Sequence, residues 1–296
     1  MSEPCLAAEI WSQPDRWAEA AALADTYADV LPKPGERVAV IGCGTSLSMA
    51  RAYATLRESG GLGETDAWPA SAARLSRPYD RLIAISRSGT TSEVLEALTE
   101  HGGGSPVTVI TSSEATPLLD HGSPILLPQF DEQSVVQSRF ATSVLSLLRS
   151  HLGERLDGAI RDGRDALAEP DEAYAAVREA EQITFVGMGL GAAIAEEAAL
   201  KLRESTGSWS ESYLATEYRH GPISISAPGR VVWGFGPLVP DFERDVAVTG
   251  AHLEHRDVDP VADLIRVQRL CLLKAADLGI DPDHPRNLAR SVILDS

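Results

Sequence analysis

The sequence predicts an α/β protein built from parallel strands and flanking helices. Three observations carry that expectation. Short β-branched runs, RVAVI at 37–41, RLIAI at 81–85 and PVTVI at 106–110, read as buried strands. The first two run at once into turns of small residues and then into helix-forming stretches. The strand–glycine–helix pattern also occurs twice, because VIGCGTSLSMARAYATLRES (40–59) aligns with FVGMGLGAAIAEEAALKLRES (185–205). Strands that alternate with helices need crossover connections, which implies parallel pairing with helices on both sheet faces.

Taken in order, residues 7–30 read as a helix with Pro14 near its start, closing an N-terminal segment over 1–30. Leu31-Pro32-Lys33-Pro34-Gly35 cannot continue it. A first domain over 31–150 then holds the strand at 37–41, a helix over 47–59, the strand at 81–85 and a helix near 93–101. The strand at 106–110, a fourth strand PILL at 124–127 and a Val- and Leu-rich helix over 135–150 complete it. Residues 151–182 are charged and Ala-rich and read as a helical bridge, weakened at Arg161-Asp162-Gly163-Arg164-Asp165 and restarted at Glu169-Pro170-Asp171-Glu172. A second domain over 183–296 repeats the first. Gly187 and Gly189 follow Gly42 and Gly44 at the same spacing, and Leu202-Arg203-Glu204-Ser205 matches Leu56-Arg57-Glu58-Ser59 with one residue inserted. Its next strands are expected at Arg230–Trp233 and Val246–Thr249, its final helix over 260–278, and DPDHPRNLARSVILDS is the tail.

At 296 residues and 44% hydrophobic composition, the chain can build one large or two small cores. The net charge of −17 should repel nucleic acid and acidic membrane surfaces, so neither is an expected partner. It should also repel an anionic substrate at long range, so a phosphate site must be built locally. No apolar run reaches a membrane span, and the start lacks the pattern of a signal peptide. Cys5, Cys43 and Cys271 are odd in number and far apart, which suits a reducing cytoplasm.

Ser86-Arg87-Ser88-Gly89-Thr90-Thr91 lies between a strand and a helix start. Free N–H groups and the helix dipole favour an anion there, and four hydroxyls add neutral donors. One or two such hydroxyls would be an ordinary helix cap; four beside Arg87 point to phosphate. Gly42-Cys43-Gly44-Thr45-Ser46 is a second such turn. The stretch AEEAALKLRES at 195–205 reads as one helix in which Lys201 and Glu204 share a face. It follows a glycine turn and precedes Glu217-Tyr218-Arg219-His220-Gly221-Pro222, so a carboxylate, an amine and a histidine surround one turn. A surface ion pair on an amphipathic helix is the plainer reading of Lys201 and Glu204. Gly187-Met188-Gly189-Leu190-Gly191-Ala192 fits a dinucleotide pattern, but no acid-ended strand follows it, so no cofactor is expected. No His or Cys has metal-ligand spacing, and no Gly-x-Ser-x-Gly elbow is present.

These motifs together resemble a tandem sugar isomerase (SIS) domain family, similar to the isomerase half of glucosamine-6-phosphate synthase and to amino-sugar-phosphate isomerases and deaminases. The resemblance runs through Glu9-Ile10-x-x-Gln13-Pro14, Gly42-Cys43-Gly44-Thr45-Ser46, Ala84-Ile85-Ser86-x-Ser88-Gly89-x-Thr91 and Glu132-x-Ser134-Val135. It continues through Ala199-Leu200-Lys201-Leu202-x-Glu204, Glu217-x-x-His220-Gly221-Pro222 and Pro285-Arg286-Asn287-Leu288-Ala289. It implies two SIS modules, each a three-layer α/β/α arrangement, in a cytoplasmic homodimer with shared active sites. It further implies that Ser46, Ser86, Ser88 and Thr91, with Thr45 and Arg87 beside them, hold a sugar 6-phosphate. Ser134 and Gly44 would lie near the sugar, Glu204 would move the carbon-2 proton with Lys201 next to it, and His220 would assist ring opening from the partner subunit.

Three departures from the family bear on the reaction. Met1 is followed by Ser2, so no N-terminal cysteine is expected to release ammonia from glutamine. Arg87 and Thr90 stand where the isomerase commonly has Gln and an acid, and Arg87 resembles the deaminase-like branch. Arg290 replaces a tail lysine, and arginine cannot act as an amine nucleophile or base. The leading expectation is isomerisation of an amino-sugar 6-phosphate, with or without loss of ammonia. The alternatives are a lyase that expels the 3-hydroxyl of N-acetylglucosamine 6-phosphate, with Arg290 controlling the fork, and a non-catalytic sugar-phosphate sensor.

Overall fold

The computed structural model describes residues 4–294. The expectation on Met1 and Ser2, and the last two residues of the expected tail, lie outside the described residues. Contacts divide the chain into two compact units. One contains Asp15–Gln133, Gln137–Leu156 and the segment from Ala289 onward; the other contains the segment up to Pro14, Ser134–Val136 and Asp157–Leu288. The tail from Ala289, expected with the second domain, therefore belongs with the first, and the opening residues belong with the second.

The chain opens with α1 (Cys5–Trp11) and α2 (Gln13–Ala22), followed by turns to residue 30, so the helix expected over 7–30 is not continuous. Pro14 is the reason. It has no N–H for the Ile10 carbonyl, which instead accepts from the Gln13 side-chain amide at 3.2 Å. Pro14 is tolerated as an early residue of α2, where an N–H would have no helical partner.

The first sheet is formed by β1 (Val38–Gly42), then α3 (Thr45–Ser59), β2 (Thr65–Pro69), β3 (Arg81–Ile85), α4 (Ser92–His101), β4 (Val107–Thr111) and β5 (Ser123–Leu126). α5 (Arg139–His151) follows in the same unit. The strands are all parallel, in the order β2-β1-β3-β4-β5. Ala39, Ile41, Leu82, Ala84 and Val109 point to one face and pack on Val94 and Leu98 of α4. Val38, Val40, Ile83 and Ile110, on the opposite face by alternation, are also fully buried. A sheet covered on both faces explains the continuous apolar runs that made these strands readable.

Where a bridge was expected, the second unit starts with α6 (Asp157–Ala168) and α7 (Ala175–Arg178), and α6 runs through the Arg161–Asp165 stretch expected to weaken it. The second sheet follows as β6 (Gln182–Gly187), α8 (Leu190–Thr206), β7 (Trp209–Leu214), α9 (Ala215–Tyr218), β8 (Arg230–Phe235), α10 (Phe242–Thr249) and β9 (His252–Arg256), closed by α11 (Pro260–Leu278). Its order, β7-β6-β8-β9, repeats the first four strands of the first sheet, again all parallel. The strand expected at Val246–Thr249 is instead the end of α10. Phe242 and Val246 lie one helical turn apart, and both are buried in the core beneath the sheet. Among the described residues no helix is long and apolar enough to cross a membrane.

The repeated glycines do the same work in both sheets. Gly44 has φ 54° and ψ −125°, and Gly189 has φ 54° and ψ −124°. A Cβ on Gly42 would sit 2.8 Å from the Ser46 backbone carbon, and one on Gly187 would sit 2.3 Å from that of Gly191. Each helix thus starts directly over the end of its strand. Gly187→Ala should cost about 1–3 kcal/mol, because the obstructing atoms are backbone and cannot rotate away. Chemical denaturation followed by tryptophan fluorescence checks this. A midpoint equal to that of the unsubstituted chain would show that the helix start can shift at no cost.

Candidate active site

In an open parallel sheet of order 2-1-3-4-5, the crevice lies between strands 1 and 3, whose outgoing connections leave on opposite sides. Here that crevice receives the turn after β1 and the turn after β3. These are the two stretches with the hydroxyl-rich sequences, Gly42–Ser46 and Ser86–Thr91.

Ser46, Ser86, Arg87, Ser88, Thr91 and Arg290 line one small cavity, together with Gln137 and Cys43. The sequence assigned the first six to the site. Ser46 projects from the first turn of α3, and Thr91 is the residue that precedes α4. Thr91 makes no side-chain capping bond, so the ordinary cap reading fails there. Its Oγ1 instead lies 3.4 Å from Ser86 Oγ. Ser86 Oγ accepts from the Gly89 N–H at 3.1 Å, and Ser88 Oγ accepts from the Thr90 N–H at 3.3 Å. The turn is a cradle of hydroxyls braced by its own backbone, with Gly89 at φ +66° and a Thr116 side chain where a Cβ would go.

Arg87 lies under this cradle with 2% of its side chain exposed. Its Nη1 donates to Glu132 Oε2 at 3.3 Å, and the Glu132 side chain has no exposure. Burial pushes the guanidinium down from its usual value, with Glu132 opposing that shift. Glu132 Oε1 also accepts from Ser138 N–H at 2.6 Å, Ser138 Oγ at 2.9 Å and Arg139 N–H at 2.7 Å. Arg290 lines the cavity with its guanidinium engaged: Nη2 donates to Asp131 Oδ1 at 2.6 Å, and Nη1 donates to the Glu132 carbonyl.

Three expected contacts are not seen. Thr45 is buried at the start of α3 and does not line the cavity. Gly44 serves the turn, its carbonyl accepting from the Leu47 and Ser48 N–H groups. Ser134 is fully buried and its N–H donates to Glu9 Oε1 at 3.3 Å; the cavity-lining residue of that stretch is Gln137. Sequence reading missed Gln137, Glu132 as the partner of Arg87, and Glu197.

Glu197 belongs to the second unit, where α8 carries the other candidate group. Lys201 Nζ lies 3.4 Å from Glu197 Oε1 and donates to Glu204 Oε2, and all three sit on one helix face. Lys201 and Glu197 are almost completely buried, while the Glu204 side chain keeps 19% exposure. The pairing is therefore not a surface ion pair. Cys271 of α11 packs beside it, its thiol pushed up to about 12 by burial, so it stays neutral. His220 is exposed, with its N–H donated to the Glu217 carbonyl at 2.9 Å. A larger cavity of about 880 Å³ also lies in this unit, but it is remote in chemistry: Lys274 Nζ is spent on the Arg178 and Ala180 carbonyls, and Arg178 on Asp277. Among the described residues no three His, Cys, Asp or Glu side chains group as metal donors.

No family model matches the chain. It is 28% identical over 319 residues to the glutamine–fructose-6-phosphate aminotransferase of Symbiobacterium thermophilum, covering 88% of this chain and 52% of that protein. The Sulfurisphaera tokodaii aminotransferase is 27% identical over 302 residues, at 89% and 51%. The chain thus spans about half the length of the curated relatives it matches. Among solved structures, glucosamine-6-phosphate deaminase from Thermotoga maritima superposes with a TM-score of 0.78 at 23% identity, covering 98% of this chain and 100% of that one. Tagatose-6-phosphate ketose/aldose isomerase from Escherichia coli gives 0.81 at 18%, covering 97% and 98%. The C-terminal domain of the Francisella tularensis aminotransferase gives 0.79 at 20%, covering 96% and 98%. The chain is thus similar over most of its length to about half of these aminotransferases, and its parallel sheets flanked by helices have the fold of these solved structures.

Proposed function

We propose that the chain is an amino-sugar 6-phosphate isomerase or deaminase of the aldose–ketose type, with one SIS module on each parallel sheet. The observation that carries this reading is the cradle at the β1/β3 crevice. Ser46, Ser86, Ser88 and Thr91 offer small hydroxyl donors beside a helix N-terminus, which is the chemistry of a phosphate grip. The phosphate grip orients the reacting carbons, a contribution that comes from positioning alone. The similarity to an aminotransferase, a deaminase and an isomerase that act on sugar phosphates supports a sugar phosphate as the ligand.

The proposed reaction starts with ring opening, assisted by His220. The free carbonyl at carbon 1 acidifies carbon 2, and Glu204 takes that proton to give an enediol or enolamine. Return of the proton to carbon 1 makes the ketose. For a 2-amino sugar the product is a ketose imine, which water hydrolyses to the ketose phosphate and ammonia. Lys201 supplies a fixed positive charge to Glu204, and Glu204 is the more exposed of the two carboxylates that flank it. The reading includes a homodimer in which His220 of one copy serves the site of the other. In the lyase alternative, Arg290 in place of lysine slows return of the proton so that the 3-hydroxyl can leave; its guanidinium donates to Asp131 Oδ1 and to the Glu132 carbonyl.

Two experiments test this. In deuterium oxide, glucosamine 6-phosphate should gain deuterium at carbon 2 and yield fructose 6-phosphate and ammonia. Glu204→Gln should slow exchange by about 10²–10⁴-fold. Mixing Glu204→Gln with His220→Asn protomers should restore part of the activity if the sites are shared. Binding without any exchange in the unsubstituted chain would make it a sensor, and wild-type exchange in Glu204→Gln would eliminate that residue as the base. Separately, Ser88→Ala and Thr91→Ala should each weaken binding of the phosphorylated sugar by ~1.5–3 kcal/mol, leaving the unphosphorylated sugar a poor ligand throughout. Titration calorimetry reads this, and unchanged affinity in both would leave the turn without a ligand role.

A further inference from the structure

The cradle is not open. The segment Arg290–Leu294 is laid across it, and Ser291 reaches into the ring of hydroxyls. Ser291 Oγ lies 3.1 Å from Ser88 Oγ, 3.0 Å from Thr90 Oγ1 and 3.5 Å from Thr91 Oγ1. The first N–H of α4, from Ser92, donates to the Val292 carbonyl at 3.1 Å. Ser92 Oγ in turn accepts from the Leu294 N–H at 2.9 Å. The groups that make this turn an anion site, its hydroxyls and a helix N-terminal N–H, are therefore occupied by the chain's own oxygen atoms.

Two further facts say that this occupancy must be exchanged for a ligand. With the segment seated, the remaining cavity is about 30 Å³. By that measure it holds about two waters, too little for a phosphate group and the sugar carbon it is attached to. Beyond Arg290 the segment is also held with little apolar burial, since Val292, Ile293 and Leu294 are 52%, 69% and 53% exposed. A strap held by a few hydrogen bonds against the entropy of ordering its backbone is cheap to lift.

We propose that Ser291–Leu294 is an internal competitor for the phosphate site: Ser291 Oγ stands in for a phosphate oxygen, and the segment lifts from its anchor at Arg290 when the phosphorylated substrate enters. This rests on the reading of the cradle as a phosphate grip. Its consequence is a built-in threshold. Unphosphorylated sugars cannot replace the hydrogen bonds that the strap gives up, whereas a dianion forms stronger, charge-assisted bonds with the same donors.

The test is calorimetric titration with inorganic phosphate of the unsubstituted chain, Ser291→Ala, and the chain lacking residues 291–296. Arg290 is retained in all three. Both variants should bind phosphate more tightly, by roughly fivefold or more, because a competing set of hydrogen bonds is gone. Hydrogen exchange should show the 289–294 segment losing protection when phosphate saturates the unsubstituted chain. Ser291→Ala keeps the test valid if the shortened chain fails to fold. Phosphate binding that is equal or weaker in Ser291→Ala overturns the competitor role and leaves the grip itself standing. No phosphate binding by any of the three overturns the grip and the competitor with it.

Discussion

One buried carboxylate holds the first unit's site together. Glu132 receives bonds from Arg87 of the turn after β3 and from Ser138 and Arg139 at the start of α5, and its own carbonyl accepts from Arg290. Three segments far apart in sequence meet at this residue. A carboxylate with no exposure is tolerable only because both of its oxygens accept hydrogen bonds and a guanidinium stands beside it. The converse also holds: Arg87 can be buried under the cradle only because Glu132 is there. Removal of either would leave the other as an uncompensated charge, which typically costs 3–5 kcal/mol.

That pairing decides how the cradle can hold an anion. Arg87 brings a positive charge close to the site, but Glu132 already shares it, and the chain as a whole carries −17. Long-range attraction of a phosphate is therefore weak, and selection must come from short-range bonds. Hydroxyls and helix N–H groups suit this, since they act only on contact and only in the right geometry. The second sheet makes the contrast clear. It has the same strand order and the same glycine turn, yet its turn after β6 carries Met188 and Leu190 in place of hydroxyls, and after β8 comes Gly236-Pro237-Leu238. The topology provides a crevice in both units; only one of them is lined with the hydroxyls that the proposed phosphate grip needs.

Most of this was legible in the sequence because burial on both faces of a parallel sheet writes itself as continuous apolar runs. The central strands β1, β3, β4 and β6 were readable for that reason. Three of the four edge strands were not: TDAWP, WSESYL and HLEHR at β2, β7 and β9 are polar, half-buried and paired on one side only, whereas the edge strand β5 was readable from PILL. The run DVAVT misled in the other direction, since Val246 packs from a helix beside Phe242 and Tyr218 while Val248 faces solvent. Hydroxyl density pointed to Ser86, Ser88 and Thr91, but which residue of the 132–139 stretch faces the cavity depends on backbone path, and so Ser134 was expected where Gln137 is found. Ser291 carried no local signal at all. Its bonds span some two hundred residues of chain, and a lone serine between an arginine and a valine looks like nothing.

The α8 cluster shows why helical spacing alone could not separate a buried pair from a surface one. Lys201 and Glu204 three residues apart would be worth little on an exposed helix. Here Lys201 is 1% exposed and has a second carboxylate, Glu197, one turn back. One lysine between two carboxylates leaves the cluster with a net negative charge, set in a region dry enough to keep the Cys271 thiol neutral. The deeper carboxylate, Glu197, is closed off from solvent and holds the ammonium. Glu204, at the more exposed end of the same ammonium, is the one that the proposed reaction uses. Sequence spacing suggested the pair; burial, which the sequence did not state, separates the two carboxylates.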